Sequence, residues 1–319
     1  MKKASVFILG LVCVLLIGFS VFTYSLIKPK GTLNKISGSS TSAQIEPTHI
    51  FMCADDGNIG PTATTILSYL CNSLEGERID IHIVSFDDNH MSKENVHRLE
   101  ALKKKKDFNL DFTYFDRKRL DIYPQDQWNK AIMVKLYVQE IFPNLDRIVW
   151  LDDDVLVLKS LNHVFTEDFG SKCIGAVDVA EEYRKHHERY ADRWITAGFG
   201  VYNLKEMRKQ NAQKLLLDKS TLYKIGDSDK PEFCGGREEY ALTLFPKEKV
   251  RLYPYTYCVM CSAFGEDSYK DLDIDTVTIL HFAGVPKPWK GRSHANVRYQ
   301  EMYEKYMKLR DELWHSQGL

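Results

Sequence analysis

Three consecutive aspartates, Asp152-Asp153-Asp154, directly follow the apolar run Val149-Trp150-Leu151. In extended backbone, residues two apart point to the same side, so Asp152 and Asp154 can face one ligand together. Two hard oxygen donors suit Mn²⁺ or Mg²⁺, ions that a nucleotide diphosphate also coordinates. Such an ion would neutralise charge on a departing diphosphate. An acidic triplet is equally a way to end a strand in solvent, so this spacing alone leaves both readings open. A second stretch, His281-Phe282-Ala283-Gly284-Val285-Pro286-Lys287-Pro288-Trp289, adds an imidazole able to ligate a divalent ion. Gly284 lets backbone approach a phosphate closely, and Lys287 offers a point charge for it. Pro286 and Pro288 stiffen the loop and lessen what binding must order.

The elements around these residues alternate. Residues 50–53, 79–86, 108–115 and 147–151 carry strand signals, while 61–74, 91–106 and 128–141 carry helical ones, with Pro61 placed as a first-turn proline. Strands alternating with helices predict an α/β fold of parallel βαβ units with right-handed connections. Ligands of such open sheets bind beyond the carboxyl ends of the strands. Asp55-Asp56 and the 152–154 triplet both fall at such ends. Further strands are expected at 173–177, 198–202 and 277–282, and helices at 203–217 and 297–314. In the terminal helix Tyr299, Tyr303, Tyr306, Leu309 and Leu313 recur on one face, the mark of packing onto a core.

Composition bounds the partners. The chain has 319 residues, 44% hydrophobic and 27% charged, with 43 basic and 44 acidic side chains and a net charge of −1. That balance provides no field for holding a polyanion, which argues against nucleic acid as a partner. Residues 4–27 carry no charge and are flanked by lysines. As a helix this run spans about 36 Å, enough to cross a hydrocarbon core of about 30 Å, and it exceeds the apolar core of a cleaved signal. The expected organisation is a short cytoplasmic tail (1–3), a transmembrane signal anchor (4–27), a Ser/Gly-rich flexible stem (28–48) and one catalytic domain (49–319). Seven cysteines include Cys13 in the span. The other six allow up to three bridges in an oxidising lumen. Cys258-Val-Met-Cys261 has redox-motif spacing but lacks the strand-to-helix turn that motif uses, so it is taken as structural.

The aspartate triplet after Leu151, together with the His281–Trp289 stretch, resembles the retaining glycosyltransferases of family 8, relatives of glycogenin, bacterial lipopolysaccharide galactosyltransferases and plant galacturonosyltransferases. The likeness covers residues 50–289. It implies a GT-A fold, a Rossmann-like mixed sheet flanked by helices, and transfer of a hexosyl or related sugar from a UDP-sugar to a saccharide, glycan or glycoconjugate. It implies that Asp152, Asp154 and His281 hold Mn²⁺ (or Mg²⁺), with Asp153 among the donor-binding residues and one aspartate of the triplet touching the ribose. Gly284 and Lys287 would bind the diphosphate, and Ala54, Asp55 and Asn58 match the segment that meets the uracil base. Lys135 matches a basic position that steadies the diphosphate or an acidic neighbour. Asp178 fits an aspartate lining the sugar and acceptor pocket. Thr196 stands where the family has asparagine, and Glu238 where an amide lies near the anomeric carbon. Asp178 and Glu238 are accordingly the candidate catalytic residues.

Retention can follow from a covalent glycosyl intermediate on a carboxylate, or from attack on the leaving-group face with the diphosphate as base. Family members resemble the second case, and Glu238 keeps the first open. The competing function is a catalytically silent carbohydrate-binding protein of the same fold. A nucleotide-sugar hydrolase is a further alternative. The expected location is the Golgi or endoplasmic reticulum membrane, single-pass type II, with the catalytic domain lumenal.

Overall fold

The computed structural model describes residues 46–123, 130–186, 192–222 and 236–319. The expected tail, the anchor at 4–27 and most of the stem lie outside these residues. Among the described residues no helix is long and apolar enough to cross a membrane.

Seven strands form one mixed sheet in the order β3-β2-β1-β4-β7-β6-β8. They are β1 Thr48–Cys53, β2 Ile79–Phe86, β3 Asn109–Phe115, β4 Ile148–Leu151, β6 Ile174–Val177, β7 Phe199–Tyr202 and β8 Val250–Tyr253. Strands β1 to β4 are mutually parallel, as the alternation with helices predicts, and β7 runs antiparallel between β4 and β6. A second sheet of three short strands has β10 (Ile279–His281) at its centre, between β5 (Val155–Val157) and β9 (Val259–Met260).

The central strands read as near-continuous apolar runs because both faces of the large sheet are covered. Ile50, Met52, Val149 and Leu151 pack on one side with Ile59, Ala63, Ile66, Leu67 and Leu70 of helix α1 (Ile59–Asn72). Their alternate neighbours Phe51, Ile148 and Trp150 pack on the other side with Val134, Leu136 and Tyr202. There Phe51 and Trp150 meet edge to face at 4.8 Å. Helix α2 (Lys93–Ala101) starts at Ser92, whose hydroxyl accepts from Asn95 N. Smaller helices include α3 (Ala180–His186), α4 (Leu204–Lys209), α5 (Ala212–Ser220) and α6 (Arg237–Thr243), besides single turns at Val138–Ile141 and His163–Thr166.

The terminal helix α7 (Val297–His315) buries the stripe expected of it: Tyr299 and Tyr303 pack with Phe282 and Leu280, while Leu309 and Leu313 reach the α1 side. Arg310 donates to Gly60 O at 2.8 Å and Thr64 Oγ1 at 2.9 Å, pinning the first turn of α1.

Three expected elements differ in detail. Residues 130–137 form a 3₁₀ stretch, and only Val138–Ile141 is α-helical; 128–129 lie outside the described residues. The helix expected over 203–217 is two helices broken at Asn211, whose φ of 51° is left-handed, a conformation asparagine tolerates. The helix expected over 91–106 ends at Ala101 and tightens into a 3₁₀ turn. The described cysteines Cys53, Cys71, Cys173, Cys258 and Cys261 are free thiols, so none of the bridges left open by the count forms among them.

Candidate metal and donor site

The aspartate triplet is where the chain leaves the large sheet and enters the small one. Asp152 N donates to Gly198 O at 3.1 Å, extending the β4–β7 ladder by one step. Two residues later the chain joins β10: Val155 lies opposite His281, and Phe282 N donates to Asp154 O at 2.9 Å. Backbone pairing therefore carries the two outer aspartates and His281 to one place. One ligand atom from each of Asp152 and Asp154, with one from His281, lie within 4.8 Å of one another, although 153–154 form a turn and not the extended backbone expected of them. Asp153 points elsewhere and accepts from Asn58 Nδ2 at 2.7 Å. Asn58 sits at the N-cap of α1, yet its side chain makes no cap hydrogen bond; it ties the end of β1 to the triplet instead.

Each oxygen of the paired aspartates has a distinct surrounding. Asp152 Oδ1 accepts from Lys135 Nζ at 3.0 Å and from Trp150 Nε1 at 2.7 Å, which leaves Oδ2 facing His281 Nε2 at 3.9 Å. Asp154 Oδ2 is held by Lys287 Nζ, while Asp154 Oδ1 is buried, makes no hydrogen bond and stands 3.3 Å from His281 Nε2. Lys135 is 1% exposed, gives a second bond of 3.0 Å to Ala197 O and lies 4.3 Å from the Trp150 ring centroid.

The charges are mutually dependent. Burial alone would raise the Asp154 carboxyl, but His281 and Lys287 outweigh it and hold it well below the usual carboxylate range. Burial pulls the His281 imidazole down, and Asp154 lifts it above its ordinary value. Asp153 is raised by burial and by the neighbouring charge of Asp154. Two carboxylate oxygens and an imidazole nitrogen, one of the oxygens orphaned and buried, form a donor set that fits a divalent cation of the Mn²⁺ or Mg²⁺ kind.

A cleft of about 560 Å³ opens over these groups. Asn58, Asp152, Asp153, Asp154, Glu238, His281, Gly284 and Lys287 line it, so eight of the residues singled out by sequence meet in one cavity. Gly284 has φ +85°, a conformation that favours glycine. The other four lie off the lining. Lys135 is buried behind Asp152. Ala54 is paired to Val84 O through its N–H. Asp55 accepts from Gly57 N at 2.8 Å just past β1. Asp178 accepts from Ala180 N and Trp194 N, both at 3.0 Å, and so organises the chain around α3.

Glu238, in the first turn of α6, is buried with Oε2 lacking a hydrogen-bond partner. Burial raises its carboxyl, with Lys135 opposing and Glu239 adding to the rise. Glu239 is satisfied by Trp194 Nε1 and Ala197 N, both at 3.1 Å.

Sequence reasoning missed two supporting residues. Trp150 was legible only as a strand residue, since nothing local says its indole bonds Asp152. Gly198 lies against His281: a Cβ there would stand 2.4 Å from Nδ1. The sequence placed it only at the start of the strand expected over 198–202.

Comparison with known proteins agrees with this geometry. The profile of glycosyl transferase family 8 matches residues 49–293. Probable galacturonosyltransferase 6 of Arabidopsis thaliana is 23% identical over 283 residues, covering 78% of this chain and 46% of the relative. General stress protein A of Bacillus subtilis is 21% identical, covering 81% of this chain and 92% of the relative. The chain spans about half the length of the plant relatives it matches first, 46% and 54%. Among solved structures, the galactosyltransferase LgtC in complex with donor and acceptor sugar analogues superposes with a TM-score of 0.64 at 20% identity, covering 82% of this chain and 95% of LgtC. The bifunctional glycosyltransferase WbbM gives a TM-score of 0.64 at 17% identity, covering 89% of this chain and 53% of WbbM. These structural likenesses establish a shared GT-A fold.

Proposed function

This chain belongs to glycosyltransferase family 8, and from that premise we propose that it moves a hexosyl or related sugar from a UDP-sugar to a saccharide, glycan or glycoconjugate acceptor, with retention and with Mn²⁺ at the donor diphosphate. The observation that carries the proposal is the convergence of Asp152, Asp154 and His281, from two different sheets, beside Lys287 in one cleft. Asp152 Oδ2, Asp154 Oδ1 and His281 Nε2 would hold the ion, Mg²⁺ being an alternative. When bound, it supplies Lewis-acid neutralisation of the departing diphosphate.

The chain's own residues account for the rest. Lys287, on its stiff loop, places a cation next to Asp154 and beside Gly284, where phosphate oxygens can approach backbone. The Asn58–Asp153 pair sits between the ends of β1 and β4 and belongs to the nucleoside side, with Ala54 and Asp55 behind it. Lys135 acts through Asp152. Glu238 lines the same cleft and is assigned to the transferred sugar, and its raised, buried carboxyl supports a neutral group that hydrogen-bonds that sugar. That favours attack from the leaving-group face over a covalent glycosyl–Glu238 intermediate. Asp178 supports the acceptor side by fixing the chain around α3.

Single-pass placement in a Golgi or endoplasmic reticulum membrane, with residues 49–319 lumenal, is part of the same proposal. It rests on the uncharged run at 4–27 and the polar stem after it.

Incubating the protein with a panel of UDP-sugars and a panel of saccharide acceptors, with and without Mn²⁺, and reading UDP release and saccharide product tests the assignment. Asp154→Asn, which keeps the shape and removes the charge, is expected to lower the rate by at least about a thousandfold. Sugar-nucleotide binding without UDP release in any arm would instead identify a catalytically silent binding protein. UDP release without a saccharide product would identify a hydrolase.

A further inference from the structure

Two thiols touch His281 away from the carboxylates. Cys258 Sγ lies 3.7 Å from His281 Nδ1. Cys261 holds the His281 carbonyl twice, through its N–H at 3.0 Å and its S–H at 3.4 Å. Both cysteines are fully buried and free. Strand β9 lies between them and runs parallel to β10, with Met260 opposite His281. The Cys-Val-Met-Cys spacing therefore brackets one residue of the neighbouring strand, a use of the motif that needs no disulfide. The ring is also confined at Gly198, which has room for nothing beyond hydrogen.

An imidazole that ligates through Nε2 must be neutral and carry its proton on Nδ1, and that N–H needs an acceptor. Ligating histidines usually give it to a carboxylate, a carbonyl or water. Here Nε2 is turned to Asp154 Oδ1 at 3.3 Å, and sulfur is what the fold presents to Nδ1. We infer that Cys258 is a positioning residue for His281: its sulfur accepts the Nδ1–H, fixes the tautomer with Nε2 open to a divalent cation, and with Cys261 sets where that nitrogen points. The inference rests on the metal reading of the site given above. A thiol is a weak acceptor, so the effect is one of orientation and tautomer.

The competing account, that Cys258 is a small apolar filler, predicts the opposite order of variants. For a filler, Cys258→Ala is tolerated better than Cys258→Ser, which buries a hydroxyl. For a positioning residue, Cys258→Ser retains an acceptor and Cys258→Ala does not. The experiment titrates the full-length protein with Mn²⁺ alone, reading free ion by electron paramagnetic resonance. Cys258→Ala should weaken binding by about 10–100-fold, and Cys258→Ser should stay within about threefold of the parent. Melting curves confirm that both variants are folded. Equal Mn²⁺ affinity in the parent and Cys258→Ala overturns the inference and leaves the metal site standing. No Mn²⁺ binding by the parent overturns both.

A measurement independent of any variant is the ¹⁵N spectrum of histidine-labelled, Mg²⁺-loaded protein. His281 should show its proton on Nδ1, and a proton on Nε2 overturns the inference.

Discussion

Replacing Lys135 by methionine keeps the aliphatic stem in place and removes only the ammonium. In the parent that ammonium gives bonds of 3.0 Å to Asp152 Oδ1 and 3.0 Å to Ala197 O, over the face of Trp150. Burial works against its charge, but Asp152 prevails and keeps it protonated. The variant leaves the Ala197 carbonyl without this partner, at a cost of about 1–3 kcal/mol. It also removes a charge-assisted bond from Asp152, again about 1.5–3 kcal/mol. Two facts reduce the sum. Asp152 keeps its 2.7 Å bond from Trp150 and is 26% exposed, so water can replace part of what it loses. Burying methionine in place of an ammonium also recovers some desolvation cost. A net loss of about 2–3 kcal/mol follows, or roughly 4–12 °C in Tm for a domain of this size.

The functional effect is separable from the stability effect. With Lys135 gone, Asp152 is aimed by Trp150 alone, so Mn²⁺ affinity should fall about 10–100-fold, as for loss of an outer partner of a metal ligand. Donor KM at saturating Mn²⁺ should change little, because Lys135 does not line the cleft. Differential scanning fluorimetry and a Mn²⁺ titration of the same sample read both quantities. Unchanged Mn²⁺ affinity with a large rise in donor KM would refute the reasoning, since that pattern belongs to a lysine touching the diphosphate.

Gly198→Ala pushes a methyl into the space of the His281 ring, 2.4 Å from Nδ1. Overpacking should cost about 1–3 kcal/mol, and Mn²⁺ affinity should drop well beyond what that instability explains; unchanged affinity in a titration would show that the ring has room to move. Glu238→Gln should keep the rate at pH 7 within about threefold, because a neutral carboxyl and an amide both donate to a sugar oxygen. At alkaline pH the parent should lose rate as Glu238 ionises and the variant should not, and intact-mass spectra with donor alone should show no glycosyl adduct.

A pH effect on stability is expected from His49 and His82, whose ring nitrogens meet at 3.2 Å. Burial lowers both below 6.5, with His82 also lowering His49, and Asp80 and Asp111 oppose without reversing the shift. A depressed histidine is neutral in the folded chain and binds a proton more readily when unfolded. The stability it provides is therefore full above pH 6.5 and lost as pH falls through the folded value. The slope is up to about 1.4 kcal/mol per pH unit for each proton taken up. Urea midpoints between pH 7 and 5 should show this fall, and His82→Gln should flatten it.

The parallel part of the fold was legible because its signals are local. Strands β1 to β4 are apolar runs bounded by turn residues, and α1 announces itself by Pro61 and a buried stripe. Strands β5 and β9, of three and two residues, are too short to show a period. The reversal of β7 is a matter of pairing, which no stretch of 199–202 encodes alone. The apolar run 130–137 satisfies a helical pattern, but periodicity does not distinguish a 3₁₀ stretch from an α-helix. Asn211 did carry a sign of the break in its residue type, overridden by the apolar residues on either side.

The site divides in the same way. Asp152, Asp154, His281 and Lys287 could be singled out because the aspartate triplet and the His281–Trp289 stretch together resemble the motifs of a known family, which the residue types alone left open. What aims them could not. Trp150 reaches Asp152 from the end of β4, Gly198 reaches His281 across the β4–β7 ladder extension, and Cys258 and Cys261 reach it from either end of β9. Asp152 is fixed by a backbone bond to Gly198 in the large sheet, and Asp154 by a backbone bond to Phe282 in the small one. The distance between the two carboxylates and the imidazole is therefore set by where two ladders meet, before any ion arrives. A change that loosens either ladder should reduce metal affinity without touching a ligand, and one that preserves both should leave that affinity unchanged even where the cleft walls vary.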